Sequence, residues 1–210
     1  PANGMKIVWV NDGQGKQMVV HRLIESGSQC EDYTNLGATH ALEHFFFKDG
    51  APWGRFASHG ANLNAYTSTK YLVTTADIDV GQTLDWLAYQ AECMRGEHLA
   101  NLDHDCIASE IRNVIDEMNR NKSASNLMRK MITVAQQHCL LQGNRVPTIG
   151  KKSTLKAIVN ASDIRKLQTD LLGPSRNTLL VVGQHDGQDL LDSVGRNFGK
   201  LERNKELRPL

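Results

Sequence analysis

Thr178-Leu179-Leu180-Val181-Val182-Gly183 is a short apolar run, rich in β-branched residues and closed by glycine. It stands late in a 210-residue chain, after a long block of helical periodicity. So short a run, closed by a turn residue, reads as a buried strand. Helices flank it: Ser162–Leu171, with Ser162 as N-cap, and Asp189–Phe198. Further back, apolar residues recur at helical spacing in three segments. Thr83–Arg95 carries Leu84, Leu87, Ala88 and Ala91, and Asp105–Asn121 carries Ile107, Ile111, Val114, Ile115 and Met118. Ser125–Leu141 carries Leu127, Met128, Met131, Ile132 and Ala135, before Pro147 and Gly150 end the block. The opening of the chain alternates instead. Met5–Asn11 and Gln17–Glu25 surround Asp12-Gly13-Gln14-Gly15 and read as a hairpin, and Asn62–Thr67 with Tyr71–Ile78 form a second strand pair. A short helix, Thr39–Phe47, lies between the pairs. Strands, then helices, then one returning strand predict an α+β fold: a two-layer sandwich whose mixed, largely antiparallel sheet carries helices packed on one face.

At ~150 residues per domain, the length predicts one domain over residues 1–210. The 24 Lys and Arg against 23 Asp and Glu leave a net charge of +1, which argues against a nucleic-acid partner read from net charge. No run approaches 18 apolar residues, so no membrane-spanning helix is expected. Pro1-Ala2-Asn3-Gly4 starts without a basic region leading into an apolar one, and no signal peptide is expected. Cysteines at 30, 93, 106 and 139 are too scattered for a zinc knuckle and too few for a disulfide scaffold, which points to a reducing, cytoplasmic setting.

The chemistry concentrates in Gly37-Ala38-Thr39-His40-Ala41-Leu42-Glu43-His44. Two histidines four residues apart project from one face of a helix and can share a cation. Glu43 adjoins that face, so its carboxylate can sit beside a metal without ligating it. Chance would place HxxEH in roughly one of a hundred such chains, so the spacing is informative. A catalytic zinc takes three protein ligands, and the helix at 105–121 can offer the third: Glu110 and Glu117 stand nearly two turns apart, on a side distinct from the apolar stripe. Asp103-His104-Asp105-Cys106 reads more simply as acids at a helix start than as a second metal site.

These residues resemble the pitrilysin/insulysin family of zinc peptidases, the inverzincins, in which HxxEH reverses the usual HExxH. The resemblance runs through Asn3-Gly4-Met5, Gly27-Ser28 with a following acid, Gly37…His40-Ala41-Leu42-Glu43-His44…Phe47-Lys48 and Gly60–Ser68 with Tyr71. It continues in Glu110-x6-Glu117, Pro147–Gly150, Gly173–Asn177 and Val181-Val182-Gly183. The resemblance implies a Zn2+ cofactor held by His40, His44 and Glu117, with Glu43 as general base and Glu110 as its companion in the catalytic group, placed behind the metal. It also implies that Asn64, Ala65, Tyr66 and Thr67 lie on an edge strand that pairs with an extended peptide substrate. Phe45-Phe46, Asp49-Gly50 and a shortened stretch between Asp49 and His59 depart from the family pattern. Family enzymes build a clamshell from homologous domains, and this chain is expected to match one of them. The function implied is therefore a zinc metalloendopeptidase or its catalytic domain. The alternatives are a non-catalytic peptide-binding or assembly subunit, or a catalytic half completed by a homodimer or homologous partner chain.

Overall fold

The computed structural model describes residues 2–13, 15–48, 55–99, 102–121 and 150–202, together with 131 and 148. Among these residues, five strands form one sheet: β1 (Lys6–Val10), β2 (Gln17–Ile24), β3 (Asn62–Thr67), β4 (Leu72–Asp79) and β5 (Asn177–Val182). Their order is β1-β5-β2-β4-β3. All pairings are antiparallel except β1 with β5, which is parallel. The helices are α1 (Ala38–Phe46), α2 (Thr83–Arg95), α3 (His104–Asn121), α4 (Lys152–Leu155), α5 (Ala161–Leu171) and α6 (Gly187–Phe198). The expected helix at 125–141 falls outside the described residues.

The period-two pattern of β2 decides which face is covered. Met18, Val20, Arg22 and Ile24 point into the core, where they meet Leu42 and Phe45 of α1, Trp86 and Leu87 of α2 and Phe198 of α6. The α+β class is as expected, with the helices packed on this face. One pairing is not. β1 and β2 form no hairpin, because β5 inserts between them. Leu179 and Val181 of β5 are fully buried and Leu180 and Val182 are half-buried, so this strand gains most from neighbours on both sides. β1 alternates exposed and half-buried residues, from Lys6 to Val10, and suits an edge.

Helix starts also differ in detail. Asn160, not Ser162, caps α5, in a reciprocal capping box with Asp163. Asp186 caps α6 by accepting from Gln188 N and Asp189 N. At the head of α3 the Asp103 carboxylate accepts from Cys106 N at 2.7 Å, the helix-start role expected for that acid. Among the described residues, no helix is long and apolar enough to cross a membrane.

Candidate metal centre

The site forms where α1 crosses α3 under the end of β3. Gly37 precedes α1 at φ 92, a conformation open to glycine at little cost, and this lets the chain turn sharply into the helix. One helical turn then separates His40 from His44, with their rings perpendicular and 4.9 Å apart. The apolar side of α1 (Ala38, Ala41, Leu42, Phe45) is sunk in the core, which turns the two imidazoles toward α3. On α3, buried Ile107, Ile111, Val114 and Met118 fix the rotation of the helix, and the glutamates emerge beside this stripe.

Glu117 Oε2 lies 3.5 Å from His40 Nε2 and 3.4 Å from His44 Nε2. The three residues each offer one ligand atom, all within 4.8 Å of one another. Ligands on a tetrahedral zinc, at bond lengths near 2.0–2.2 Å, lie about 3.3–3.6 Å apart, the separation that Glu117 Oε2 shows from each imidazole. Burial, with His44 nearby and Glu117 opposing, lowers the His40 imidazole to about 4, which keeps it neutral, as a metal ligand must be.

Glu110 does not join this group. Its Oε1 lies 2.8 Å from His44 Nδ1, and its Oε2 accepts from Lys48 Nζ at 3.0 Å and Asn113 Nδ2 at 3.2 Å. Because a carboxylate only accepts, His44 Nδ1 carries a ring proton, and Nε2 is turned toward Glu117. The His44 hydrogen bond foremost, and Lys48 after it, hold the Glu110 carboxyl down at about 2 in spite of burial. In return, although burial pushes the His44 imidazole down, Glu110 carries it above its ordinary value.

Glu43 stands one residue before His44, with Oε2 accepting from Thr67 Oγ1 at 2.5 Å. Burial raises its carboxyl above the ordinary range, and the Thr67 hydrogen bond opposes the rise. Thr67, expected only as a substrate-strand residue, is thus also the partner of Glu43. Asn64, Ala65 and Tyr66 lie on β3, the edge of the sheet beyond β4, with Tyr66 53% exposed. A cavity of about 260 Å³ opens there, lined by Glu43, His44, Phe47 and Lys48 on one side, Leu63, Asn64 and Ala65 on the other, and Glu110.

Two residues escape a reading by spacing alone. Lys48 has no helical pattern to mark it, since it follows α1; the family resemblance includes it, and its ion pair with Glu110 shows what it does. Glu31 is buried, and its carboxylate accepts from Gly37 N and Thr39 N, both at 2.7 Å, at the head of α1. An acid shortly before a helix start was the available signal.

An α+β domain presenting a two-histidine, one-glutamate group with a further carboxylate beside it has the marks of the zinc metallopeptidase class. Residues 6–142 match the family model of insulinase (peptidase family M16). The chain belongs to that family, and zinc is its cofactor. It is 27% identical over 219 residues to an uncharacterized zinc protease, YmxG, of Bacillus subtilis, covering 95% of this chain and 49% of the relative. Its fold matches the periplasmic protease PqqL from Escherichia coli with a TM-score of 0.78 at 22% identity, over 99% of this chain and 24% of the other. A protease from Helicobacter pylori matches at the same TM-score and identity, over 99% of this chain and 51% of the other. The chain thus spans between one fifth and about half the length of the curated relatives it matches.

Proposed function

We propose that residues 1–210 form one peptidase domain of a zinc metalloendopeptidase that hydrolyses extended peptides. The observation that carries this reading is the convergence of His40, His44 and Glu117, with Glu43 held beside them by Thr67. His40 Nε2, His44 Nε2 and a Glu117 oxygen hold the zinc. Bound there, zinc supplies Lewis acidity, lowering the pKa of a water toward ~7 and polarising the scissile carbonyl. Glu43 takes a proton from the attacking water and returns it to the leaving amine, a task suited to a carboxyl raised by burial. Glu110 fixes the His44 ring. The peptide backbone pairs with the open edge of β3 along Asn64, Ala65, Tyr66 and Thr67. Four cysteines, too scattered for a zinc knuckle and too few for a disulfide scaffold, support a reducing, cytoplasmic compartment.

Zinc analysis and cleavage of an extended peptide test the assignment together. E43Q keeps its zinc and loses hydrolysis; cleavage at the wild-type rate by E43Q overturns the role of Glu43. E117A loses zinc; full occupancy in E117A removes Glu117 from the ligand set.

The fraction of each relative that the chain spans favours a second reading, in which this domain is a catalytic half completed by a second copy or a homologous partner. A chain that binds zinc but cleaves only after such a partner is added supports it, and full activity at the mass of a monomer overturns it.

A further inference from the structure

We propose that Glu31 is a positioning residue for the metal centre, a buried carboxylate that fixes the first turn of α1 and thereby the His40 ring. The inference rests on the reading of His40 as a zinc ligand and goes beyond it.

Three observations carry it. First, Glu31 grips the helix with both oxygens: Oε2 accepts from Gly37 N and Oε1 from Thr39 N, each at 2.7 Å. Thr39 N is the amide immediately before His40, so the clamp acts one peptide away from the ligand. A carboxylate there also meets the positive end of the helix. Second, His40 has no fastening of its own to match that of His44. Its Nδ1 is buried without a hydrogen-bond partner among the described residues, whereas His44 Nδ1 has Glu110. The ring of His40 thus depends more on its backbone than the ring of His44 does.

Third, the head of α1 is closely packed on its other side among the described residues. Gly150 lies so close over the head of α1 that a Cβ there would collide with Gly37 Cα and Leu36 O. Thr154 Oγ1 and Lys151 N already occupy Leu36 O. The turn that delivers Glu31 is itself pinned. Ser28 N and Gln29 N donate to Ser68 O and Thr69 O at 3.2 and 3.0 Å, and Gly27 packs against the same backbone. One rigid path thus joins the end of β3, next to Thr67, to the start of the histidine helix. Burial pushes the Glu31 carboxyl up to about 7 against the pull of its two N–H donors, so holding an anion here is costly.

The test compares zinc affinity by chelator competition with the thermal stability of the metal-free chain. Glutamine has one acceptor oxygen, so E31Q sets its amide N–H against one of the two helix amides. E31Q is expected to bind zinc about 10–100-fold more weakly, the usual penalty for losing support behind a ligand. The absorption spectrum of the cobalt-loaded protein should change with it. E31D retains both acceptor oxygens and should recover part of that affinity. L190A, which opens the core at buried Leu190 of α6, away from the site, provides a matched loss of stability and should leave affinity within about twofold. Wild-type affinity and an unchanged cobalt spectrum in E31Q overturn the proposal, as does an equal loss of affinity in L190A. H40A separates the two levels: wild-type zinc affinity in H40A overturns the ligand assignment itself, whereas its loss alongside an unaffected E31Q overturns only the role of Glu31.

Discussion

Replacing Glu110 with glutamine removes one charge and almost no volume, from a residue only 8% exposed. Glu110 serves three donors: His44 Nδ1 at 2.8 Å, Lys48 Nζ at 3.0 Å and Asn113 Nδ2 at 3.2 Å. The single amide oxygen of E110Q can keep the bond to His44, but the amide N–H2 then faces Lys48 and Asn113, donor against donor. If the amide turns to serve those two, His44 loses the acceptor that fixes its tautomer. Either way one charge-assisted contact is lost, worth about 1.5–3 kcal/mol, and the ring is held less firmly. We expect zinc affinity to fall about 10–100-fold, or roughly 1.4–2.7 kcal/mol. The assay is chelator competition at neutral pH, with unfolding of the metal-free chain measured in parallel. Adding K48M to E110Q removes the stranded cation and should restore stability by about 1–3 kcal/mol while leaving zinc affinity low, because Lys48 reaches His44 only through Glu110. Wild-type zinc affinity in E110Q would refute the claim that Glu110 governs His44.

T67V deletes the hydroxyl that donates to Glu43 at 2.5 Å and keeps the β-branched shape that suits β3. Peptide hydrolysis should fall about 10–100-fold while zinc affinity holds within about twofold, and T67S should recover most of the rate; a T67V enzyme at full rate would detach Thr67 from the base. Stability should also fall in acid through His98, whose imidazole is lowered to about 4 by burial, with Arg22 adding to the effect. The unfolded chain protonates at ~6.5. This contribution is therefore complete above about pH 6.5 and is lost as pH falls toward 4, amounting to at most about 2 kcal/mol at pH 5. Urea unfolding at pH 7 and pH 5 should show a gentler loss in H98Q than in the wild type, and identical losses would contradict the assignment.

What could be read from the sequence, and what could not, follows from the range over which each signal acts. His40 and His44 were legible because one helical turn of a single element sets their spacing; two turns of another put Glu110 and Glu117 on one side, and the family resemblance divided their roles. The burial of β2 followed from strict alternation. The neighbours of β2 did not. Asp12-Gly13 marks a turn wherever the chain reverses, but the pairing of β1 and β2 depends on whether another strand profits more from lying between them. β5, buried on one face and half-buried on the other, does. That competition takes place across some 170 residues of chain and leaves no local trace.

The same boundary runs through the metal centre. The residues proposed to face the cation stood out in the sequence, since metal chemistry restricts residue type and a helix restricts spacing. Those behind them (Glu31, Lys48 and Thr67 in its bond to Glu43) carry no such restriction, because each comes from a turn, a helix end or a sheet edge. Their positions follow from how those pieces pack. Yet they decide whether three side chains that can bind a metal are held where they must be. Thr67 reaches Glu43 because β4 pairs β3 in register, with Thr67 opposite Leu72, and Glu31 reaches α1 because its turn is tied to Ser68 and Thr69 just beyond. A shift of one residue in that pairing would move Thr67 to the other face of the sheet. Thr67 would lose Glu43, and the Ser68–Thr69 anchor of the Glu31 turn would move with it. The sheet register, invisible in the HxxEH motif, is therefore part of what makes the motif a site.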